Sequence, residues 1–289
     1  MPEFPGAVGF GVDTMVGRRG RVIRVTNLND SGAGSLREAV DAEGPRVIIF
    51  DVSSTIYLDD NIGVREPFYD DRGADSADPG ITLAHAGLMV VSHDVLVEHL
   101  RVRPGDLPDG PSKQNRDAAQ IIGNSQGSNA VFNVVVDHCS LSRGTDENFS
   151  TWYRNVYDLT LINSIVSEGL MNAGHPKGTH SKGFLVGDHT QNAAIVNTLC
   201  AHNNQCNLLI MGDVSMYMAN NIVYGYGNQP IALADLEGAG PSKGTVIGND
   251  IIPGPASSSS YGLRVYKTAG EGTQVYVRDN NFPGCTSDP

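Results

Sequence analysis

Side chains whose types and spacing could perform chemistry lie between residues 137 and 212 of this 289-residue chain. Asp146 and Glu147 are adjacent, and Lys182 follows His180 by two residues. Paired carboxylates can perform acid and base chemistry on glycosidic bonds, and a lysine ammonium can hold a carboxylate as a point charge. The alternative interpretation is that the acids cap turns on a solvated face and that the lysine is an ordinary surface residue.

The overall charge limits the classes of partner. The formal net charge of -12 argues against nonspecific binding to nucleic acid or to an anionic membrane. An acidic glycan would also be repelled, so binding one requires a local cation or a local group of Lys and Arg residues. No apolar run approaches the length of a membrane span, so we expect no transmembrane segment.

The amino terminus lacks the basic and apolar regions of a secretory signal. We therefore expect either that a signal was removed or that the protein leaves its cell by another route, such as host lysis. Both alternatives predict a location outside the cell or on the surface of a virion.

The cysteines show no spacing typical of a metal site. They lie at Cys139, Cys200, Cys206 and Cys285, and the first two fall within apolar runs. Buried thiols are expected here rather than a disulfide.

Short apolar runs recur along the chain with a polar landmark just before a branched residue. The landmarks are Asn163, Asn197, Asn220, Asn249 and Asn280, which are 34, 23, 29 and 31 residues apart. A landmark with variable spacing is typical of a solenoid whose turns vary in length. The pattern predicts an all-β parallel β-helix in which asparagines stack along the axis at one turn. Strand candidates lie at 47–50, 80–83, 95–102, 134–136, 159–165, 194–199, 214–223, 245–252 and 274–277.

A solenoid needs a cap at its open end. Ser35 and Glu38 match a capping box, which predicts a short helix covering the N-terminal end of the β-helix. We predict a single domain over 1–289, with a cap region at 1–45, coils at 46–284 and a tail at 285–289. Residues 253–260 are expected to form a loop.

Several motifs in order carry a family resemblance. They are FPGAVGFG at 4–11, VTNLNDSGAGSLREA at 25–39, PRVIIFDVS at 45–53, LRVRPGD at 100–106, DHCS at 137–140, HSKG at 180–183, and VIGN at 246–249 with PGP at 253–255. The chain resembles the pectate lyases of polysaccharide lyase family one. The resemblance implies a right-handed parallel β-helix and β-elimination on a uronic-acid chain.

The resemblance also implies a calcium site. Calcium would bridge protein carboxylates to the substrate carboxylate and stabilise the developing enolate. The implied ligands are Asp117, Asp146 and Glu147, with Ser150 at a position where the family often has another aspartate.

Further positions match parts of the family that contact substrate. Lys182 corresponds to the substrate-binding lysine, and it is also a candidate for an unconventional base. Lys177, His180 and Arg143 are further substrate-binding candidates, although Arg143 stands where close relatives have tryptophan. We expect His138 and His180 to be buried, hydrogen-bonded histidines rather than catalytic ones.

The catalytic arginines of the family are missing. Their positions fall on Cys206, Leu209 and Met211, and the sequence has no arginine between Arg154 and Arg264. None of these three side chains can pair with a carboxylate, and no basic neighbour in sequence lowers the pKa of Cys206. The usual lyase mechanism is therefore not expected.

Three functions remain open from the sequence. The first is a β-helix that binds acidic polysaccharide with weak or no lyase activity, as a bacteriophage tail or tailspike component, with a homotrimer or other virion proteins as partners. The second is an active calcium-dependent lyase with an unconventional base. The third is a hydrolase in which Asp188 acts with Asp146 or Glu147.

Overall fold

Three parallel sheets of short strands run side by side along the chain in the computed structural model, which describes residues 6–73, 78–124, 126 and 128–284. Sheet A contains β1 (Arg21–Val25), β2 (Arg46–Phe50), β5 (Tyr69–Arg72), β8 (Val95–Glu98), β11 (Val131–Asp137), β14 (Val156–Ile162), β17 (Gln191–Val196), β20 (Ser215–Ala219), β23 (Lys243–Ile247) and β26 (Gln274–Arg278). Sheet B contains β3 (Ser54–Tyr57), β6 (Ile81–Ala84), β9 (Arg101–Arg103), β12 (Ser140–Ser142), β15 (Ile165–Ser167), β18 (Leu199–Ala201), β21 (Ile222–Tyr224) and β24 (Asp250–Ile252). Sheet C contains β4 (Ile62–Val64), β7 (Leu88–Val90), β10 (Ala119–Ile122), β13 (Glu147–Trp152), β16 (Lys182–Val186), β19 (Leu208–Ile210), β22 (Ile231–Leu233) and β25 (Leu263–Val265).

The chain visits the sheets in a fixed order, so that β13 in sheet C is followed by β14 in sheet A, β15 in sheet B and then β16 beside β13. Each strand pairs in parallel with the equivalent strand one coil away. The predicted all-β parallel β-helix is thereby confirmed, while its right-handed sense and its single-domain extent stay predictions.

Alternation along the strands decides which side chains enter the core. In sheet C, Phe149 pairs with Ala119 on one side and Phe184 on the other, and all three are buried in the main hydrophobic cluster. Within each strand the neighbours of these residues, such as Ser150 and Leu185, point to the outer face, because successive strand residues alternate in direction. The outer face of sheet C is therefore the surface on which a site can form.

The stacked polar ladder at the turn between sheets A and B differs from the sequence prediction by one residue in its first coils. The buried ladder runs through Ser164, Thr198, Asn221, Asn249 and Asn280, with each side-chain oxygen accepting from the backbone N–H of the preceding coil. Asn163, Asn197 and Asn220 instead precede ladder residues and have left-handed φ angles of 51°, 51° and 56°. Asparagine suits both positions, because it tolerates the left-handed region and can also bond to backbone groups.

The predicted N-terminal helix is present as α1 (Leu36–Val40), and Ser35 caps it by accepting the Glu38 N–H at 3.2 Å. That α1 closes the end of the β-helix stays a prediction. Short 3-10 helices lie at Lys113–Asn115 and Lys267–Ala269. Among the described residues, no helix is both long enough and apolar enough to cross a membrane.

Cys139, Cys200 and Cys206 are buried thiols, and no disulfide joins any two of these described cysteines, as predicted. Cys285, the tail at 285–289 and the first two residues of the motif at 4–11 lie outside the described residues. Residues 253–260 form a loop without strands, as expected.

Turn lengths determine where functional side chains can gather. The turn from sheet A to sheet B has only two residues between β14 and β15, whereas 168–181 connect β15 in sheet B to β16 in sheet C. The loops 104–118 and 143–146 likewise connect sheet B to sheet C, where they lead into β10 and β13. The candidate site forms where these three loops enter sheet C.

Candidate functional site

Three carboxylates from two neighbouring coils meet where the chain enters sheet C. Asp117 lies just before β10, Asp146 just before β13, and Glu147 is the first residue of β13. One carboxylate oxygen from each lies within 4.8 Å of the others. Asp117 and Glu147 are 2% and 1% exposed, so two of the three charges are withdrawn from water. We call these three residues the carboxylate cluster.

Lys182 provides an internal counter-charge to the carboxylate cluster. The register of β13 with β16 places Lys182 opposite Glu147, and its Nζ lies 2.9 Å from Glu147 Oε1 and 3.5 Å from Asp146 Oδ1. Burial alone would lower the pKa of Lys182, but Glu147 and Asp146 outweigh burial and raise it. Lys182 is therefore an ammonium at neutral pH, which suits it to hold a carboxylate rather than to abstract a proton.

The cluster is short of positive charge despite Lys182. Burial, followed by the neighbouring Asp146, raises the pKa of Asp117 to about 7. Burial, followed by Asp117 and Asp146, raises the pKa of Glu147 well above its usual range. Glu147 Oε2 is buried and has no hydrogen-bond partner among the described residues. A cation added at this point would relieve the repulsion.

Ser150, the fourth candidate ligand, is fully buried and its hydroxyl donates to Asp117 Oδ2. The hydroxyl proton is thus committed to the carboxylate, and Ser150 fixes the orientation of Asp117. Its role as a direct ligand stays a prediction.

Two histidines from the loop 168–181 approach the cluster from the other side. His180 Nε2 and His175 Nε2 lie 3.2 Å and 3.6 Å from Asp146 Oδ1, and their rings stack with centroids 3.5 Å apart. His175 Nδ1 accepts the Lys177 N–H at 3.0 Å, so the neutral ring carries its proton on Nε2. A ring nitrogen that carries a proton cannot ligate a metal, which excludes His175 Nε2, whereas His180 Nδ1 donates to the Gly178 carbonyl at 3.1 Å and leaves its Nε2 with a lone pair. The carboxylate cluster is the better site for calcium, because calcium takes oxygen ligands and all three residues of the cluster supply them.

The pKa of Asp117 predicts an unusual pH response in chelator-treated protein. Below about pH 7 the folded state binds a proton that the unfolded carboxyl does not take up until its ordinary pKa near 4, so stability rises as the pH falls. We expect a gain of about 1 to 2 kcal/mol between about pH 8 and pH 5.5 relative to Asp117→Asn. Urea unfolding of both proteins across this range measures the difference. Parallel stability curves would contradict the raised pKa.

A groove of about 710 Å³ runs over the outer face of sheet C beside the cluster. The loops before the strands supply one wall, including Asn115, Asp146 and Lys177. Trp152, at the end of β13, also lines the groove. The segments that follow the strands supply the rest of this side, with Tyr153, Arg154, Asp188, His189 and, from the loop after β22, Glu237. The carboxylate cluster therefore opens onto an elongated surface through Asp146.

The structure distributes the other predicted site residues unevenly. Lys177 is exposed and lines the groove, and His180 is buried as expected. Arg143 is exposed on the turn before β13 and lies outside the groove lining among the described residues. Their substrate contacts stay predictions.

The expectation of a buried His138 is wrong. Its side chain is 50% exposed, and its Nδ1 lies 2.7 Å from Asp137 Oδ1. His138 has a left-handed φ of 50° at the turn between sheets A and B, and that turn directs its side chain outward.

The three positions where arginines were expected lie in an apolar cluster. Cys206, Leu209 and Met211 are 2%, 7% and 3% exposed, and they pack with Leu185, Ala232 and Ala234. Burial raises the pKa of Cys206 to about 12, so it is not a thiolate at neutral pH. None of the three supplies a base.

The sequence interpretation missed His175 and Trp152. His175 lies five residues before His180 in the same loop, and that spacing was the available signal. Trp152 lies at the end of a strand whose first residue, Glu147, was already a candidate. β13 therefore links Glu147 at its start to Trp152 at its end.

Comparison with known proteins gives one consistent class of relative. No protein-family model matches the chain. Over 280 residues the chain is 34% identical to a probable pectate lyase C of Aspergillus fumigatus, covering 96% of this chain and 60% of that protein. Over 179 residues it is 28% identical to pectate lyase 1 of Ambrosia artemisiifolia, covering 56% of this chain and 40% of that protein. The chain thus spans about 60% of the length of the fungal relatives.

Solved structures share the fold. The major cedar pollen allergen jun a 1 matches with a TM-score of 0.64 at 17% identity, covering 98% of this chain and 85% of that chain. A pectate lyase from Bacillus sp. N165, solved in complex with trigalacturonate, matches with a TM-score of 0.65 at 13% identity, covering 98% and 92%. At these identities the structures support the β-helix alone.

Proposed function

The chain is a pectate-lyase-like β-helix protein, homologous to fungal pectate lyases over nearly all of its length, and from that premise we propose that it binds an acidic, uronate-containing polysaccharide. The polysaccharide lies in the groove over sheet C, and a calcium ion at the carboxylate cluster attracts its carboxylates. We further propose that lyase activity is weak or absent.

The observation that carries this proposal is the buried, undercompensated carboxylate cluster. Calcium takes oxygen ligands at about 2.3–2.6 Å, so oxygens up to about 5 Å apart can share one ion. The cluster oxygens lie within 4.8 Å, and Glu147 Oε2 has no hydrogen-bond partner among the described residues. Asp117, Asp146 and Glu147 thus fit the ion. When bound, calcium supplies positive charge beside the substrate carboxylate.

The surrounding residues bind and orient rather than abstract a proton. Lys182, as an ammonium, holds Glu147 and Asp146 in place. Lys177 lies on the groove wall, where its charge can attract the carboxylates of the polysaccharide. The positions of the missing arginines are apolar and buried. These features support binding over elimination.

Polysaccharide binding is expected to depend on calcium and on the cluster. Calorimetric titration with polygalacturonate should show saturable binding in calcium that weakens at least tenfold with a chelator or in Asp117→Asn/Glu147→Gln. The matched control is Asp250→Asn, which alters an exposed acid on sheet B and should bind like wild type. Binding that ignores both chelator and double substitution would refute the cation-bridged mode.

The same samples decide between binding and catalysis. Little unsaturated product, followed by ultraviolet absorbance, is the expected result. Calcium-dependent product formation would establish the alternative, an active lyase with an unconventional base. The tailspike role, the trimer, the virion partners and the extracellular location stay predictions, as does the paired-carboxylate hydrolase.

A further inference from the structure

Trp152 lines the groove at the opposite end of the strand that begins at the carboxylate cluster. Glu147 is the first residue of β13 and Trp152 is the last, which separates them by roughly 17 Å along an extended strand. Trp152 is also the only tryptophan in the sequence. The groove therefore has an aromatic end as well as an acidic one.

The indole of Trp152 rests on a packed surface. The apolar cluster of Cys206, Leu209 and Met211 with its neighbours packs against Trp152. A Cβ at Gly187 on the next coil would lie 3.2 Å from the indole Cε3, so the ring passes directly over that glycine. The ring is half-buried, supported from below and bordered by the groove on its remaining side. A supported aromatic surface of this kind binds ligands at low entropic cost.

A cation lies beside the indole. Arg154 is exposed, lines the same groove, and has no ion-pair partner in the part of the chain that the structure describes. An arginine fork matches a carboxylate in geometry and charge. Asp188 and Glu237 also line the groove and would repel a carboxylate. An anionic ligand at this end is therefore drawn toward Arg154.

We propose that Trp152 and Arg154 form a subsite for one uronic-acid residue of the bound polysaccharide. The apolar C–H face of the sugar ring stacks on the indole, and the ring carboxylate pairs with the guanidinium. The subsite rests on the proposed polysaccharide-binding function and adds a specificity element that is separate from the carboxylate cluster. It also gives the apolar replacements at the expected arginine positions a role, because they support the indole.

Intrinsic fluorescence reports on the subsite directly, because Trp152 is the sole tryptophan. Oligogalacturonates of increasing length, titrated in calcium, should change the emission saturably once the oligomer is long enough to reach both ends of the groove. Galactose oligomers of matched length, which lack carboxylates, should give no saturable change. An equal response to the neutral oligomers would overturn the assignment to uronate.

Substitutions separate stacking from charge. Trp152→Ala is expected to weaken oligogalacturonate binding about tenfold by calorimetry, and Trp152→Phe should retain most of the affinity. Arg154→Gln should weaken the binding of oligogalacturonates with the fold unchanged, because the uronate carboxylate loses its charged partner. Tyr276→Ala, which removes a 54% exposed aromatic from sheet A, is the matched control and should bind like wild type.

The outcomes distinguish failure of the subsite from failure of the function. If wild type binds in calcium while the Trp152 emission does not change and Trp152→Ala and Arg154→Gln both bind like wild type, the subsite is wrong and the proposed function stands. If wild-type protein binds no oligogalacturonate by calorimetry, both are wrong.

Discussion

Replacing Lys182 by methionine is expected to destabilise the protein by about 3 kcal/mol at neutral pH. The substitution keeps most of the apolar stem but removes the ammonium that lies 2.9 Å from Glu147 Oε1. Glu147 is 1% exposed and would be left as a buried charge beside Asp117 and Asp146. We place the effect at the lower end for a broken buried pair because the Lys182 side chain remains 21% exposed. Urea unfolding in chelator measures it.

The pH dependence and a double substitution test the cause. Glu147 already has a raised pKa, and losing Lys182 raises it further, so the folded variant takes up a proton as the pH falls and the deficit should shrink. Lys182→Met/Glu147→Gln should recover most of the lost stability. Lys243→Met, an exposed lysine on β23, should change stability little. A deficit that persists in the double variant would show that packing, not charge, is responsible.

The repeat architecture could be read from the sequence because each coil carries its own local signals. Branched apolar runs and a polar turn residue recur with every coil, and both are short-range properties. The exact ladder could not be read, since asparagine serves two adjacent turn positions. Asn220 has the left-handed φ and Asn221 accepts the hydrogen bonds, although both are asparagines. Only the path of the backbone separates the two roles.

The acids and the lysine of the site were identified through their motifs, but their contacts were not. Glu147 and Lys182 are 35 residues apart, and they meet because β13 pairs with β16 in a register set by Phe149 and Phe184 in the core. The number of residues between Glu147 and Lys182 in the sequence does not predict that register. The same limitation hid His175, whose position depends on how the loop 168–181 folds back onto Asp146.

The sequence showed that the expected arginines are absent, but it did not predict that the residues in their place form a buried apolar cluster. Leu209 pairs with Leu185 on the outer face of sheet C, where a solvated groove would favour polar residues. Instead Trp152 and Tyr266 pack over this cluster, and Leu209 is only 7% exposed. Cys206, Leu209 and Met211 thus form part of a small apolar cluster on the outer face of sheet C, and they are buried rather than available to a ligand.

Leu209→Arg, which restores an arginine at one expected position, is therefore predicted to destabilise the protein by about 2 to 4 kcal/mol and to generate no lyase activity. The guanidinium would enter a site bordered by Leu185, Met211 and Trp152, where it must either lose its hydration or displace the indole. Leu236→Arg is the matched control, because Leu236 is 62% exposed on the loop after β22 and the same change there should cost little. Thermal unfolding and the unsaturated-product assay measure the two outcomes. A stable Leu209→Arg protein that cleaves polygalacturonate would contradict both expectations and would show that this side of the groove accepts a charged side chain.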